Sequence, residues 1–269
     1  MIATRDELVA ASRAVRREVL ERSYQTGLGH LGGTFSVVEI LVTLYLSGFL
    51  RPRAASGLMG PRDSLILSKG HACLALYSIL NRLDVLPDAA LDSFGRNGGL
   101  GAQLDTSVPG VHWNTGSLGH AIGVGAGLAL GERFSESESR VFAVVGDAEF
   151  SEGSIWEAMQ FASDYELSRF VTVVDRNRLS VTSALDDDGI FARFQDKVEA
   201  FGWLYLECDG HDFSALEHSL EVALSAERPA LLIANTIKGK GVSFMERNLR
   251  WHHGVPSEDD YILAHKELE

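Results

Sequence analysis

The chain has 269 residues, 45% hydrophobic and 23% charged, the proportions of a chain that buries a real core, so disorder, collagen and coiled coil are excluded. Its 24 Lys and Arg against 37 Asp and Glu leave a net charge of -13, which opposes attraction to phosphate backbones and anionic lipid; neither nucleic acid nor a membrane is the expected partner. Cys73 and Cys208 lie far apart and the N-terminus has no apolar h-region, so a cytoplasmic location is expected and no disulfide framework.

The first segment has an amphipathic helical period, with Leu8, Ala11, Val15 and Val19 on one stripe and Arg13, Arg16 and Arg17 as a basic face. A helix over Ser36 to Ser47 follows a Gly-rich turn. Buried strands are predicted at Leu65 to Leu67, Val141 to Val145, Phe170 to Val174, Trp203 to Leu206 and Ala230 to Asn235. Helical periods separate them, at Ser154 to Tyr165 and Phe213 to Ala226. Strand and helix in alternation give an α/β fold, a doubly wound, mainly parallel sheet with helices on both faces. The stretch Ala121 to Leu130 is too short to cross a bilayer, which takes roughly 20 apolar residues. The tracts Ser135 to Arg140 and Asp186 to Asp188 read as loops, and the tail Arg247 to Glu269 as a segment that could pack on a neighbour. No Pro/Gly/Ser-rich divider interrupts the chain, so residues 1–269 are expected to form one domain with an N-terminal helical extension and a C-terminal tail.

Ligands of open α/β sheets bind beyond the carboxyl ends of the strands. Those ends carry Ser68-Lys69-Gly70-His71, Gly146-Asp147-Ala148-Glu149, Asp175-Arg176-Asn177, Cys208-Asp209-Gly210-His211 and Thr236-Ile237-Lys238-Gly239-Lys240. P-loop, nucleophile-elbow, HExxH and CxxC patterns are missing. The spacing of Asp147 and Asn177 sets them on adjacent strand ends, in reach of one hard cation such as Mg²⁺, with a backbone carbonyl near Leu179 as a third oxygen. The small Ala148 and the following helix start suit a diphosphate. Gly-Asp as a plain turn with Asn177 as a cap is the competing reading. The glycines at 119, 123, 125 and 127 imply close backbone approach, either in a dimer contact or inside the fold.

The run from Gly146 to Asn177 resembles the thiamin diphosphate motif, with Gly-Asp-Ala and Arg-Asn standing for its usual Gly-Asp-Gly and paired Asn. Around it, Thr26 to Gly33, Leu67 to Ala72, Pro109 to Val111, Thr115 to His120, Glu152 to Ala158 and Trp251 to Pro256 resemble transketolases, in family order. The chain looks like the N-terminal subunit of a split transketolase, carrying the diphosphate-binding domain. The resemblance implies that Asp147, Asn177 and the Leu179 carbonyl hold Mg²⁺ or another divalent cation, and that His71, Gly116, Leu118, Gly146, Asp147, Ala148 and Asn177 bind thiamin diphosphate. It further implies that His30, His71 and His253 are catalytic and face the substrate, and that Glu152 lies in a proton-conducting contact between cofactor sites. For a lone His beside a Gly, satisfying loop backbone is the plainer role, and Glu152 near a helix start could be only a favourable dipole charge. His252 is read as structural.

A partner pyrimidine-binding subunit is implied, in an α2β2 assembly that moves a two-carbon ketol unit from a ketose donor to an aldose acceptor. Three departures stand out. Ala148 replaces the third motif Gly, Arg176 and the run Leu179-Ser180-Val181-Thr182-Ser183 differ around the metal, and Gln103, or Ala102 depending on where one gap is placed, falls where the family has a His. They leave open a specialised acyl or ketol transferase acting on an unusual sugar or a 2-oxo acid, or a non-catalytic assembly subunit.

Overall fold

Runs of Val, Ile and Phe too short for helices pair side by side once helices cover both of their faces. A computed structural model describes residues 2–51, 63–180, 184–185 and 188–269. Its strands are β1 Ser64–Leu67, β2 Val141–Gly146, β3 Phe170–Arg176, β4 Leu204–Asp209 and β5 Ala230–Asn235, in the spatial order β1-β2-β3-β5-β4. Every pairing is parallel, and the β2–β3 register sets Gly146 opposite Asp175. Residues following β2 therefore lie beside residues following β3. This is the geometry that brings Asp147 to Asn177.

The two-residue period of the strands splits the core. Phe142, Val144, Val171, Val173 and Leu232 face a layer built from α1 Arg5–Thr26, α2 Leu31–Ser36, α3 Val38–Leu46 and α4 Cys73–Arg82, together with α9 Phe213–Ser225. A short helix, α5 Asp88–Asp92, follows α4. Ala143, Val145, Phe170, Val174, Leu231 and Ile233 face α6 Ala121–Phe134, α7 Gly153–Asp164 and α8 Phe194–Ala200. The tail helix α10 Glu258–Glu267 lies against α1, with Tyr261 stacked on Tyr24 at 4.4 Å between ring centroids. No helix among the described residues is long and apolar enough to cross a membrane.

Three local expectations are corrected. The helix placed at Ser36 to Ser47 is α3, Val38–Leu46, but the Gly-rich turn expected before it is itself helical and lies inside α2. Packing explains it: a Cβ on Gly32 would stand 3.0 Å from the Trp251 carbonyl oxygen, and one on Gly33 would stand 3.0 Å from the His71 ring. Arg16 is not on a basic face, because helical period sets it one turn from Leu20 and Val19 and it is buried in an ion pair with Glu39. The strand begun at Trp203 is an edge strand, half-exposed along its length, and Trp203 itself precedes it, buried with its indole N–H on the Met159 carbonyl. Of the Gly-rich stretch, Gly125 answers to internal packing, since a Cβ there would press 2.6 Å from the Phe170 ring, whereas Gly127 faces open space. Part of the acidic tract at 186–188 and of the run at 179–183 lies outside the described residues.

Candidate cofactor and substrate site

Four strand ends and the start of α2 surround a cavity of about 240 Å³, lined among others by His30, Lys69, His71, Asp147, Asn177 and Lys238. Its floor is anionic. Asp175, the penultimate residue of β3, is fully buried and accepts hydrogen bonds from the Ser36 hydroxyl at 2.6 Å, the Lys69 ammonium and the Thr236 hydroxyl. Asp147, one residue beyond β2, is also buried and accepts from the Arg178 N–H at 2.6 Å and the Ala148 N–H at 2.8 Å. Burial, and then the neighbouring Asp175 charge, push the Asp147 carboxyl up to about 6, against the pull of those N–H groups and Lys69. A carboxyl raised in this way gains from a cation placed beside it.

The donors fit a hard divalent ion and a diphosphate. Asp147 supplies a carboxylate, Asn177 an amide oxygen that here accepts the Leu179 N–H at 3.2 Å, and Leu179 a carbonyl, a set of oxygens suited to Mg²⁺. Lys238 Nζ donates to the Leu179 and Ser180 carbonyls, each at 3.1 Å, and a carbonyl oxygen with two lone pairs keeps one for a cation. Glu149 holds the opposite wall together: its carboxylate accepts from the Ser68 hydroxyl, the Gly119 N–H at 2.9 Å and the Gly146 N–H at 3.1 Å. That brace ties the Gly116–Gly119 loop, entered at φ 131 at Gly116, to the end of β2.

At the mouth four imidazoles meet. His30 lies 5.1 Å from His71, 5.7 Å from His252 and 4.4 Å from His253 between ring centroids. Burial, then His253 and Lys238, lower the His30 pKa to about 4. Burial, then Lys69 and His30, hold His71 well below its ordinary value. Burial, then Lys238 and the other rings, lower His252 to about 4. These three are neutral near pH 7, each able to donate at one nitrogen and accept at the other.

The structure gathers His30, His71, His253, Gly116, Leu118, Gly146, Asp147, Ala148, Asn177 and Leu179 around one cavity. Glu152 is not there: it is exposed at the start of α7, against Gly119. His252, read as structural, lines the cavity with its Nδ1 2.8 Å from Lys238 Nζ. Five strand ends do not converge either. At the end of β4, His211 turns away, its Nδ1 2.9 Å from Glu39 and its Nε2 accepting the Ile237 N–H. Arg176 lies over the Phe191 ring, on the other face of the sheet. Gln103 is at the cavity wall, where Gly70 leaves room for it: a Cβ there would stand 2.3 Å from its side-chain oxygen. Sequence reasoning missed Ser36, Lys69, Glu149, Asp175 and Lys238. All but Ser36 stand in the strand-end runs, and counting charged residues beyond each strand is the signal that finds them.

Residues 4–268 match the family described as transketolase, thiamine diphosphate binding domain. The chain is 36% identical over 269 residues to one subunit of the apulose-4-phosphate transketolase of Actinobacillus succinogenes, covering 98% of this chain and 96% of that protein. Its identity to the chain of the same description from Phocaeicola vulgatus is 33% over 265 residues, with 98% and 94% covered. Transketolase from Campylobacter jejuni has the same fold, at a TM-score of 0.89 with 24% identity over 97% of this chain. The chain spans only 43% of that solved protein. With the match running almost end to end, the chain belongs to the transketolase N-terminal family, whose members carry the thiamine diphosphate binding domain.

Proposed function

We propose that this chain is the diphosphate-binding subunit of a split transketolase, working with a pyrimidine-binding subunit to move a two-carbon ketol unit from a ketose to an aldose. One observation carries the reading: the buried Asp147 carboxylate, the Asn177 amide and a ring of imidazoles share one cavity beyond the strand ends. Asp147, Asn177 and the Leu179 carbonyl would hold Mg²⁺, and His71, Gly116, Leu118 and the Ala148 backbone would hold thiamin diphosphate. Bound thiamin diphosphate supplies the carbanion chemistry that breaks and forms the C–C bond.

The chain's own side chains do the rest. Lys69 and Lys238 add positive charge beside a diphosphate, and the Glu149 brace fixes the loop that meets it. His30, His71 and His253 stand at the mouth, where imidazoles exchange protons with donor and acceptor hydroxyls as carbonyl and alcohol interconvert. Gln103 orients a hydroxyl without moving a proton, since a carboxamide donates and accepts hydrogen bonds but does not titrate. Two full-length relatives are named for apulose-4-phosphate and a third for 6-deoxy-6-sulfo-D-fructose, so these two ketoses are the first donors to screen. Exposed Glu152 and the open face of α6 at Gly127 and Gly131 suit contact with a second copy of the chain, in an α2β2 assembly.

The test is recovery of the tagged chain from its native lysate with thiamin diphosphate and Mg²⁺, followed by donor screening. A stoichiometric partner that retains cofactor and supports ketol transfer is expected. A chain that returns alone and cofactor-free, with and without added Mg²⁺, overturns the proposal.

A further inference from the structure

The imidazoles at the mouth are not equivalent. Of the four rings, only that of His252 is hydrogen-bonded to a protein group among the described residues. Its partner is Lys238, a buried side chain whose Cγ lies 3.0 Å from where a Cβ on Gly32 would stand. A lysine ammonium has three N–H donors and no acceptor. Lys238 Nζ spends them on the Leu179 and Ser180 carbonyls, each at 3.1 Å, and on His252 Nδ1 at 2.8 Å. A ring nitrogen that faces an ammonium must accept, so the single proton of a neutral His252 sits on Nε2. We propose that His252 is a substrate-binding residue of the ketol transfer, a hydrogen-bond donor held in one tautomer by Lys238, whose Nε2–H meets a carbonyl or hydroxyl oxygen of the sugar. The substrate in this assignment comes from the transketolase reading, whereas the tautomer follows from the chain's own hydrogen bonds.

His252 lines the cavity, and its Nε2 is neither hydrogen-bonded nor buried among the described residues, so the N–H is open to an incoming oxygen. The ring is held from two sides. Buried Trp251 anchors the turn Leu249–His252, and Lys238 ties the ring to the wall that carries Leu179. Burial, then Lys238 and the neighbouring rings, keep His252 neutral near pH 7, a donor rather than a proton carrier. His30 differs. Its Nδ1 is buried without a partner, so no hydrogen bond at that nitrogen decides where the His30 proton sits. A ring of that kind suits proton exchange, and a ring locked in one tautomer suits recognition. A sugar that lacks the facing oxygen leaves the Nε2–H unpaired once water is excluded, a loss of about tenfold in binding.

NMR of the full-length chain labelled with ¹⁵N at histidine, with His252→Asn for assignment, reads the tautomer. A protonated Nε2 and an unprotonated Nδ1 are expected for His252 at pH 7, and Lys238→Met is expected to bring in an Nδ1–H population. In the enzyme assembled with its partner, His252→Asn is expected to raise KM about tenfold while kcat and the shape of the pH profile are kept. His252→Gln, whose carboxamide N–H reaches the Nε2 position, should recover most of that loss. Far-UV circular dichroism checks that each variant is folded. A protonated Nδ1 in the parent chain, equal KM losses in the two His252 variants, an unchanged KM in His252→Asn, or a kcat loss with a displaced pH limb overturns the proposal. The NMR result needs neither cofactor nor partner. An assembly without ketol transfer would remove the substrate reading and the contact with it, whereas a misplaced proton would remove the contact and leave ketol transfer standing.

Discussion

Two buried ionic centres lie on the same side of the sheet, and they are balanced in opposite ways. In the helical layer, Glu39 accepts two hydrogen bonds from the Arg16 guanidinium, both at 2.6 Å, and faces His211 Nδ1 at 2.9 Å. Burial raises its pKa, but Arg16 and His211 outweigh burial and bring it down to about 2. Under the cavity, Lys69 donates to Asp175, and burial, then the Asp175 charge, hold Asp147 up at about 6. The first centre is complete within the chain. In the second, Lys69 and Lys238 stand near the two carboxylates, yet Asp147 stays raised at a place that ligands reach. A buried charge paired within the fold is costly to break, whereas a buried carboxyl held toward its neutral form at a cavity is a candidate for ligand binding.

The largest expected effect separates the two directly. Asp147→Asn in the assembled enzyme should lower cation-dependent turnover on the order of 10³-fold, the loss of several kcal/mol of metal-borne stabilisation, while the isolated chain melts no lower than before. Turnover assays alongside thermal melts check both halves. Unchanged turnover removes Asp147 from the proposed metal site and with it the distinction between the centres.

Arg16→Met should do the reverse. Leaving Glu39 buried beside His211 alone costs about 3–5 kcal/mol, and at about 2–4 °C per kcal/mol for a chain of this size the melting temperature falls by roughly 10 °C. Combining it with Glu39→Leu should restore most of the loss, since two apolar groups of similar shape replace a buried pair at little cost. Failure of the double variant to recover would mean that the pair positions His211 and the Ile237 turn rather than merely neutralising itself.

Acid sharpens the comparison further. The Glu39 pKa is lowered from 4.5 to about 2, so the folded state binds fewer protons than the unfolded chain between those values. The stabilisation is complete above about pH 4.5 and is lost as pH falls toward 2, up to about 3 kcal/mol. Chemical denaturation from pH 6 downward, with Glu39→Gln as reference, measures it. A Glu39→Gln variant with the same acid slope as the parent would assign the loss to other carboxylates.

Much of this is legible in the sequence, for reasons that differ by element. Four of the five strands are runs rich in Val, Ile, Leu, Phe and Ala, the edge strand β4 mixes Leu and Tyr with Glu and Asp, and all five positions are recovered within a few residues. Asp147 and Asn177 come together because parallel strands joined by one helix lie side by side, as the β2–β3 register has them. Arg16 is not legible as buried, because its partner Glu39 lies on another helix and neither local period nor charge shows the pairing. His252 looks redundant in sequence beside a second His; the short helical turn at Leu249–His252 brings both to the cavity. Glu149 reads as one more acid near a helix start, and only the fold shows it bracing Gly119 and Gly146.

The smallest effect asks whether charge or backbone fit governs cofactor retention. Ala148 stands where the resembled motif has Gly, with its N–H on Asp147 at 2.8 Å. Ala148→Gly removes one methyl from the approach of a diphosphate and adds backbone freedom to the turn, two changes of opposite sign that each amount to about 1 kcal/mol or less. Thiamin diphosphate affinity should therefore move by less than about tenfold, far below the effect of Asp147→Asn, when both are measured by calorimetry at saturating Mg²⁺. A larger gain from Ala148→Gly would make the methyl, and not the raised Asp147 carboxyl, the limit on binding. The contrast between the two ionic centres would then describe stability and no longer locate the cofactor.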